Sequence, residues 1–414
     1  MTSAGGRCNK RRQPRCALMR VEQHVSVPRC GQLAVLTACR ARGARFAVAQ
    51  DARRDDPGPA TIRNPGNVGL QLRNILKRPQ KKQPDEKRPE GFLDPEDEKA
   101  CEVVRGAFNL LFEGSGVRIF TASHLDLSHR WVPSLGKSDI VIFSDPWALR
   151  EKIAIKTQEC ARFPENLYFL CNDWQTYYVR KPHIKNLHVI NQNCFMDESI
   201  FCIKDKFEKK YDVLYNGRRS KTKRHYLAKN VGEELKLALV YPHYDLSWSD
   251  LPEDELPRHV YHNKVGLSPQ QVCDVINQSR VGLILSAREG ACFASSEYLL
   301  CGVPVISTPS KGGRAFWYND ENSLIVDPDP AAVLDAARAL IAAPRDPHRI
   351  RAAHLKLIQE QRQALLDNVL RPIRDRFSLD WDYHFSSCNL MAEFALRKDC
   401  WMDLASICRR LRGS

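Results

Sequence analysis

Short apolar runs recur along the chain, separated by segments with helical spacing. They lie at Val117 to Thr121, Asp139 to Phe143, Asn166 to Cys171, Leu187 to Ile190, Tyr211 to Tyr215, Val281 to Leu285 and Val303 to Ile306, with a shorter one at Val260 to His262. Each has the length and branching of a buried parallel strand. Between them, Pro269 to about Gln278 predicts a helix, and so does EGACFASSEYLLCG, which ends at Gly302, where a left-handed cap is cheapest, before Pro304. Strands alternating with helices predict an α/β protein. Past Pro344 the spacing is helical, through HRIRAAHLKLIQEQRQALLDNVLRPIRDRF, and the last forty residues suggest further helices. Upstream, PEDEKACEVVRGAFNLLF (95–112) predicts a helix with acids in its first turn, which complements the dipole.

The leading segment is different. Residues 1–60 are arginine-rich with little periodicity and are expected to be disordered. LAVLTAC, ending at Cys39, imitates a lipoprotein box, but its apolar core is too short and its leader too long. NPGNVGLQLRNIL (64–76) fits a glycine turn and an amphipathic helix, and KRPQKKQPDEKRPEG (77–91) fits a charged linker. The boundaries that follow are 61–205 for a first α/β domain, 206–345 for a second, and 346–414 for C-terminal helices that partly cross back to the first.

Charge changes this picture less than its total suggests. Residues 1–90 hold 20 Lys and Arg against 7 Asp and Glu, so +13 of the chain's +14 belongs to the leader. A nucleic-acid-reading body is therefore disfavoured, and contact of the basic leader with an anionic membrane is a secondary expectation. The 15 cysteines are scattered, odd in number and without a CxxC pair, which disfavours zinc sites and a disulfide framework and fits a reducing cytoplasm.

Candidate chemistry concentrates between Ser286 and Pro328. After the strand at Val281 to Leu285 come Glu289 and, after seven intervening residues, Glu297 on the helix; after the next strand comes Gly312-Gly313. In a doubly wound sheet both loops lie beyond the carboxyl ends of the strands, at one crevice. Eight positions along a helix span about 12 Å, which suits carboxylates gripping two ends of an elongated ligand better than a close acid/base pair. A solvated loop carboxylate at Glu289 and an exposed helix residue at Glu297 are the plain alternatives. Further upstream, the strand at Tyr211 to Tyr215 leads into NGRRSKTKRHYL. There Gly217 permits a tight turn, and Arg218 and Lys223 are cations suited to a diphosphate, with Arg219 and Lys221 able to assist. A generic basic turn is the alternative. Asp327 and Asp329 imitate a metal motif but precede an alanine-rich helix, so capping is expected; Asp380 and Asp382 call for the same caution.

These residues resemble the retaining GT-B glycosyltransferases of the glycosyl transferases group 1 family (family 4), whose hallmark is this Glu, seven residues, Glu pattern. CGVPVIST, the glycine pair and NDENSLIVDP continue the resemblance, and NQNCFMDESIF, ending at Phe201, is similar to the family's interdomain connection. It implies two Rossmann-like domains facing a cleft and transfer of a sugar, with retention and without a metal or cofactor, from a nucleotide-diphosphate donor to a hydroxyl acceptor. By the same resemblance, Glu289 faces the donor sugar, Glu297 takes the ribose hydroxyls, Arg218 and Lys223 hold the leaving phosphates, and Gly217, Gly290, Gly312 and Gly313 line the donor site. Two departures matter. Ser144, in DIVIFSDPW, stands where relatives carry a histidine, and His124 is the candidate substitute from a neighbouring loop, against its alternative as a surface histidine. Ala291-Cys292-Phe293 replaces the glycines usual after the first glutamate. A catalytically silent GT-B-like nucleotide-binding or scaffold protein is the competing expectation.

Overall fold

The computed structural model describes residues 105–123, 125–144, 151–241, 249–385, 389–397 and 400–412. The expectations for residues 1–93 and for His124 lie outside them. The first half supplies β1 (Arg105–Gly114), β2 (Val117–Ser123), β3 (Asp139–Phe143), β4 (Leu167–Cys171) and β5 (Leu187–Val189). The second supplies β6 (Tyr211–Asn216), β7 (Leu237–Val240), β8 (Tyr261–His262), β9 (Ser279–Ile284), β10 (Val305–Ser307) and β11 (Ser323–Ile325), and the chain returns late to form β12 (Trp401–Asp403). Two six-stranded sheets result, ordered β12-β1-β2-β3-β4-β5 and β11-β10-β9-β6-β7-β8. The second is parallel throughout; the first is parallel from β2 to β5, with β1 antiparallel to both its neighbours. Two Rossmann-like sheets with C-terminal helices returning to the first are the GT-B architecture.

Apolar side chains form three main layers. One covers the outer face of the first sheet, where Phe120, Phe143 and Phe169 lie. Another covers the outer face of the second, with Val213, Leu239 and Val281. The third is shared: Ile119 and Ile140 from the first sheet and Leu214 and Val305 from the second belong to one continuous cluster that includes Ile350, Ile358 and Leu365 of the long helix Pro347–Leu365. That helix ties the halves by charge as well. Buried Arg362 donates to both oxygens of Glu198, each at 2.7 Å, and to the carbonyls of Cys194 and Met196, all within the connection between the domains. Among the described residues no helix is long and apolar enough to cross a membrane.

The helix predicted over 95–112 is corrected in its described part, where Arg105 to Phe112 lie in β1; residues 95–104 lie outside the described residues. Ser115 and Gly116 both adopt positive φ, 53° and 73°, and close a two-residue hairpin that pairs Gly114 with Val117. Gly-Ser-Gly before an apolar run was the available signal. It outweighed helical spacing because β12, nearly 300 positions away along the chain, covers the other edge; Arg105 pairs with Asp403. For the same reason the tail is not wholly helical.

Candidate functional site

Glu289 is fixed by its own loop. The backbone nitrogen of Glu289 donates to the Lys311 carbonyl and that of Lys311 to the Ala287 carbonyl, both at 3.0 Å, zipping the loop after β9 to the loop after β10. Gly312 permits this approach: its φ is +106°, and a Cβ there would lie 1.7 Å from the Glu289 carbonyl oxygen. The whole residue is only 5% exposed. Its Oε1 accepts from the Ser286 hydroxyl at 2.5 Å and pairs with Lys223 Nζ. Lys223 arrives from the turn after β6, where its carbonyl accepts the Tyr215 hydroxyl. One cation and one acid predicted to share a ligand therefore share an oxygen.

The second glutamate sits along the helix Phe293–Leu300. Half-buried, Glu297 accepts from Asn216 Nδ2 at 2.5 Å, and loss of hydration pushes its pKa up to about 7, partly offset by that amide. The next residue, Tyr298, packs against Gly282 and accepts from the Asn216 backbone nitrogen at 2.6 Å. Glu297 thus meets the last residue of β6, and Glu289 meets the turn that follows it. Arg218 follows Asn216 and Gly217 in the same turn. Its carbonyl accepts from His225 Nε2 at 3.0 Å, and burial lowers the His225 pKa to about 4, so the ring is neutral. Arg219 is directed elsewhere, to Ser249 Oγ at 2.7 Å and Glu253 at 3.7 Å, and Lys221 is exposed.

The first half reaches the same place. A Cβ on Gly313 would lie 2.3 Å from the Asn172 Cβ, just past β4. Asn191 Nδ2 donates to the Gly313 carbonyl at 3.1 Å, and Asn193 Nδ2 donates to the Cys292 carbonyl at 3.2 Å and to Ser296 Oγ at 2.8 Å. The glycine pair therefore seats the two halves together. Gly290, next to Glu289, is buried. Cys292 takes the left-handed conformation, φ 55°, that glycine adopts without strain. Cys292 thus carries a side chain on a backbone shape suited to glycine.

Ser144 is wholly buried at the end of β3, and its hydroxyl donates to the Phe394 carbonyl at 2.5 Å. Asp329 caps the helix Pro330–Ala342 by accepting from Ala331 N and Ala332 N. Asp382 lies 3.3 Å from exposed His384.

Sequence reasoning missed Ser286, Asn216, Arg224 and Arg314. Ser286 and Asn216 end apolar runs, which was their only signal. Arg224 hid among the cations of the basic turn. Arg314 directly follows the glycine pair and is fully buried.

No protein-family model and no curated protein matches the sequence. Solved structures do resemble its backbone. The sucrose-phosphate synthase of Thermosynechococcus elongatus aligns over 62% of this chain and 73% of its own, at 16% identity and a TM-score of 0.46. The HepE protein of Anabaena in complex with UDP aligns over 58% and 73%, at 11% identity and a TM-score of 0.42. The pneumococcal O-GlcNAc transferase GtfA in complex with UDP and GlcNAc aligns over 66% and 65%, at 13% identity and a TM-score of 0.42.

Proposed function

We propose that this chain is a retaining glycosyltransferase that moves a sugar from a nucleotide-diphosphate donor to a hydroxyl acceptor without a metal or cofactor. The observation that carries this is the Lys223–Glu289 pair at the ends of β6 and β9, with Glu297 on Asn216 beside it. A bound donor would draw Lys223 and Arg218 to its diphosphate, where fixed cations act on charge that develops as the group leaves. Glu289, released from Lys223 and still held by Ser286, would accept hydrogen bonds from the sugar hydroxyls. Glu297 would accept those of the ribose. The bond between the anomeric carbon and the phosphate oxygen breaks, the bond to the acceptor oxygen forms on the same face, and the acceptor's proton passes to the departing phosphate. This route needs no protein base, so Ser144 in place of histidine does not block it.

A second reading, a catalytically silent nucleotide-binding or scaffold protein, is favoured by the burial of Ser144 under Phe394. A thermal-shift screen of nucleotide sugars followed by a donor-hydrolysis assay separates the two. Turnover that is lost in both Arg218→Ala and Glu289→Ala supports the transferase. Binding without any turnover supports the silent protein, and activity retained in both variants rejects the assigned site.

A further inference from the structure

Against the loops after β9 and β10 stand two arginines, Arg314 wholly buried and Arg224 half-buried, that among the described residues pair with no carboxylate. Arg314 donates Nη1 to the Ser286 carbonyl at 2.8 Å and hydroxyl at 3.0 Å, and Nη2 to the Thr308 carbonyl at 2.6 Å; its Nε has no partner. Arg224, held at a left-handed φ of 55°, donates Nε to the Leu285 carbonyl and Nη2 to Thr308 Oγ1, each at 2.6 Å. All these acceptors are neutral and lie just past the carboxyl ends of β9 and β10. The nearest acid along this network is Glu289, reached from Arg314 through the Ser286 hydroxyl, and it already pairs with Lys223. Arg224, Arg314 and Lys223 against Glu289 leave an excess of positive charge. Glu297 offsets less than one unit of it at neutral pH, because burial pushes its pKa up to about 7. Burying a cation is unfavourable unless something compensates it, and carbonyl dipoles compensate only in part. A multiply charged anion would complete the balance.

We propose that Arg224 and Arg314 form a fixed cationic floor whose positive field favours the diphosphate of the ligand, with the wholly buried Arg314 acting from behind Ser286 and positioning Glu289 through it. The inference rests on reading the crevice as a nucleotide-sugar site, and it adds a set of cations below those of the basic turn. A merely structural arginine would hold the loops of β9 and β10 together without discriminating between ligands by charge.

The test is calorimetric titration of the full chain with inorganic phosphate, inorganic pyrophosphate, and UDP, GDP and ADP beside their nucleosides. In the wild type, pyrophosphate should bind more tightly than phosphate and weaken with added salt. Arg314→Gln and Arg224→Gln should each lower affinity for pyrophosphate and for whichever nucleoside diphosphate binds by at least about tenfold, and leave the nucleoside within about threefold. Arg314→Lys, which keeps the charge, should recover part of the loss. If Arg314→Gln does not fold, Arg224→Gln carries the same comparison. Folded variants that bind pyrophosphate like the wild type, or a wild type that does not bind it, overturn the proposal. Arginine-dependent pyrophosphate binding without binding of any sugar nucleotide would leave the floor standing and remove the transferase reading. Sugar-nucleotide binding insensitive to both arginines would do the reverse.

Discussion

At the end of β3 the Ser144 hydroxyl donates to a backbone carbonyl, that of Phe394; at the end of β9 the Ser286 hydroxyl donates to a carboxylate, that of Glu289. The neighbours repeat the contrast. In the first sheet, Thr121 donates to the Glu393 carbonyl and Ser123 to the Ala395 carbonyl at 2.7 Å, so three hydroxyls bind three consecutive peptide units. In the second, Asn216 meets Glu297, and Thr308 meets Arg224. Neutral donors and acceptors satisfy each other and leave nothing for a ligand to complete. Charged groups held by neutral ones keep a field, and that field is what a charged ligand can use. The ends of β2 and β3 are therefore closed by neutral packing contacts, while the ends of β6, β9 and β10 carry charged groups.

The contrast can be broken at either end. Phe394 is fully buried and stacks on Phe195 with ring centroids 4.0 Å apart, so Phe394→Ala should lower stability by about 3–5 kcal/mol in denaturant unfolding. Nucleotide affinity measured well below the midpoint should survive; a variant of normal stability that loses binding would erase the distinction. Glu289→Ala should differ in what it costs: donor turnover falls by about 10²–10³ in protein held well below its unfolding midpoint, and stability falls too because Lys223 loses its buried partner. A folded Glu289→Ala protein with wild-type turnover would remove the site from this sheet.

The pH dependence comes next. Glu297 has its folded pKa raised from 4.5 to about 7, so between these values the folded state binds the proton more tightly than the unfolded one. Stability contributed by the protonated carboxyl is present at low pH and is lost as pH rises through that window, by at most about 3 kcal/mol. Comparing unfolding midpoints at pH 5 and pH 7.5 should show this decline in the wild type and a flatter response in Glu297→Gln. Identical slopes would mean that the carboxyl titrates normally. The smallest effect belongs to Ser144→Ala, which leaves the Phe394 carbonyl without its donor and should cost about 1–2 kcal/mol without touching nucleotide affinity. An altered affinity in that variant would mean that the end of β3 does face the ligand.

Much of the second sheet was legible in advance. Val281 to Leu285 and Val303 to Ile306 read as strands because a strand buried on both faces must be apolar throughout, whatever covers it. Glu289, Glu297, Arg218 and Lys223 stood out as charges punctuating such runs. The first sheet was less legible at its edge. The helical spacing of 95–112 misled because β1 packs on both faces, Phe108 and Leu110 into one apolar cluster and Ala107 against Ala395 and Cys400 in another. Arg314 was visible but carried no signal of burial, since its acceptors are carbonyls that any residue possesses.

The sequence by itself determined the alternation of strands and helices and the order of charged residues along the site-bearing loops. Those properties depend on neighbours a few positions apart. Only the tertiary structure decided that β12 extends the first sheet, that Phe394 covers Ser144 from 250 positions away, and that Lys223 shares an oxygen with Ser286 on Glu289. Each of these choices matches a generic backbone group or a common side chain with one distant partner. Local composition cannot name that partner; it emerges when the sheets pack and every buried polar group must find an acceptor or a donor.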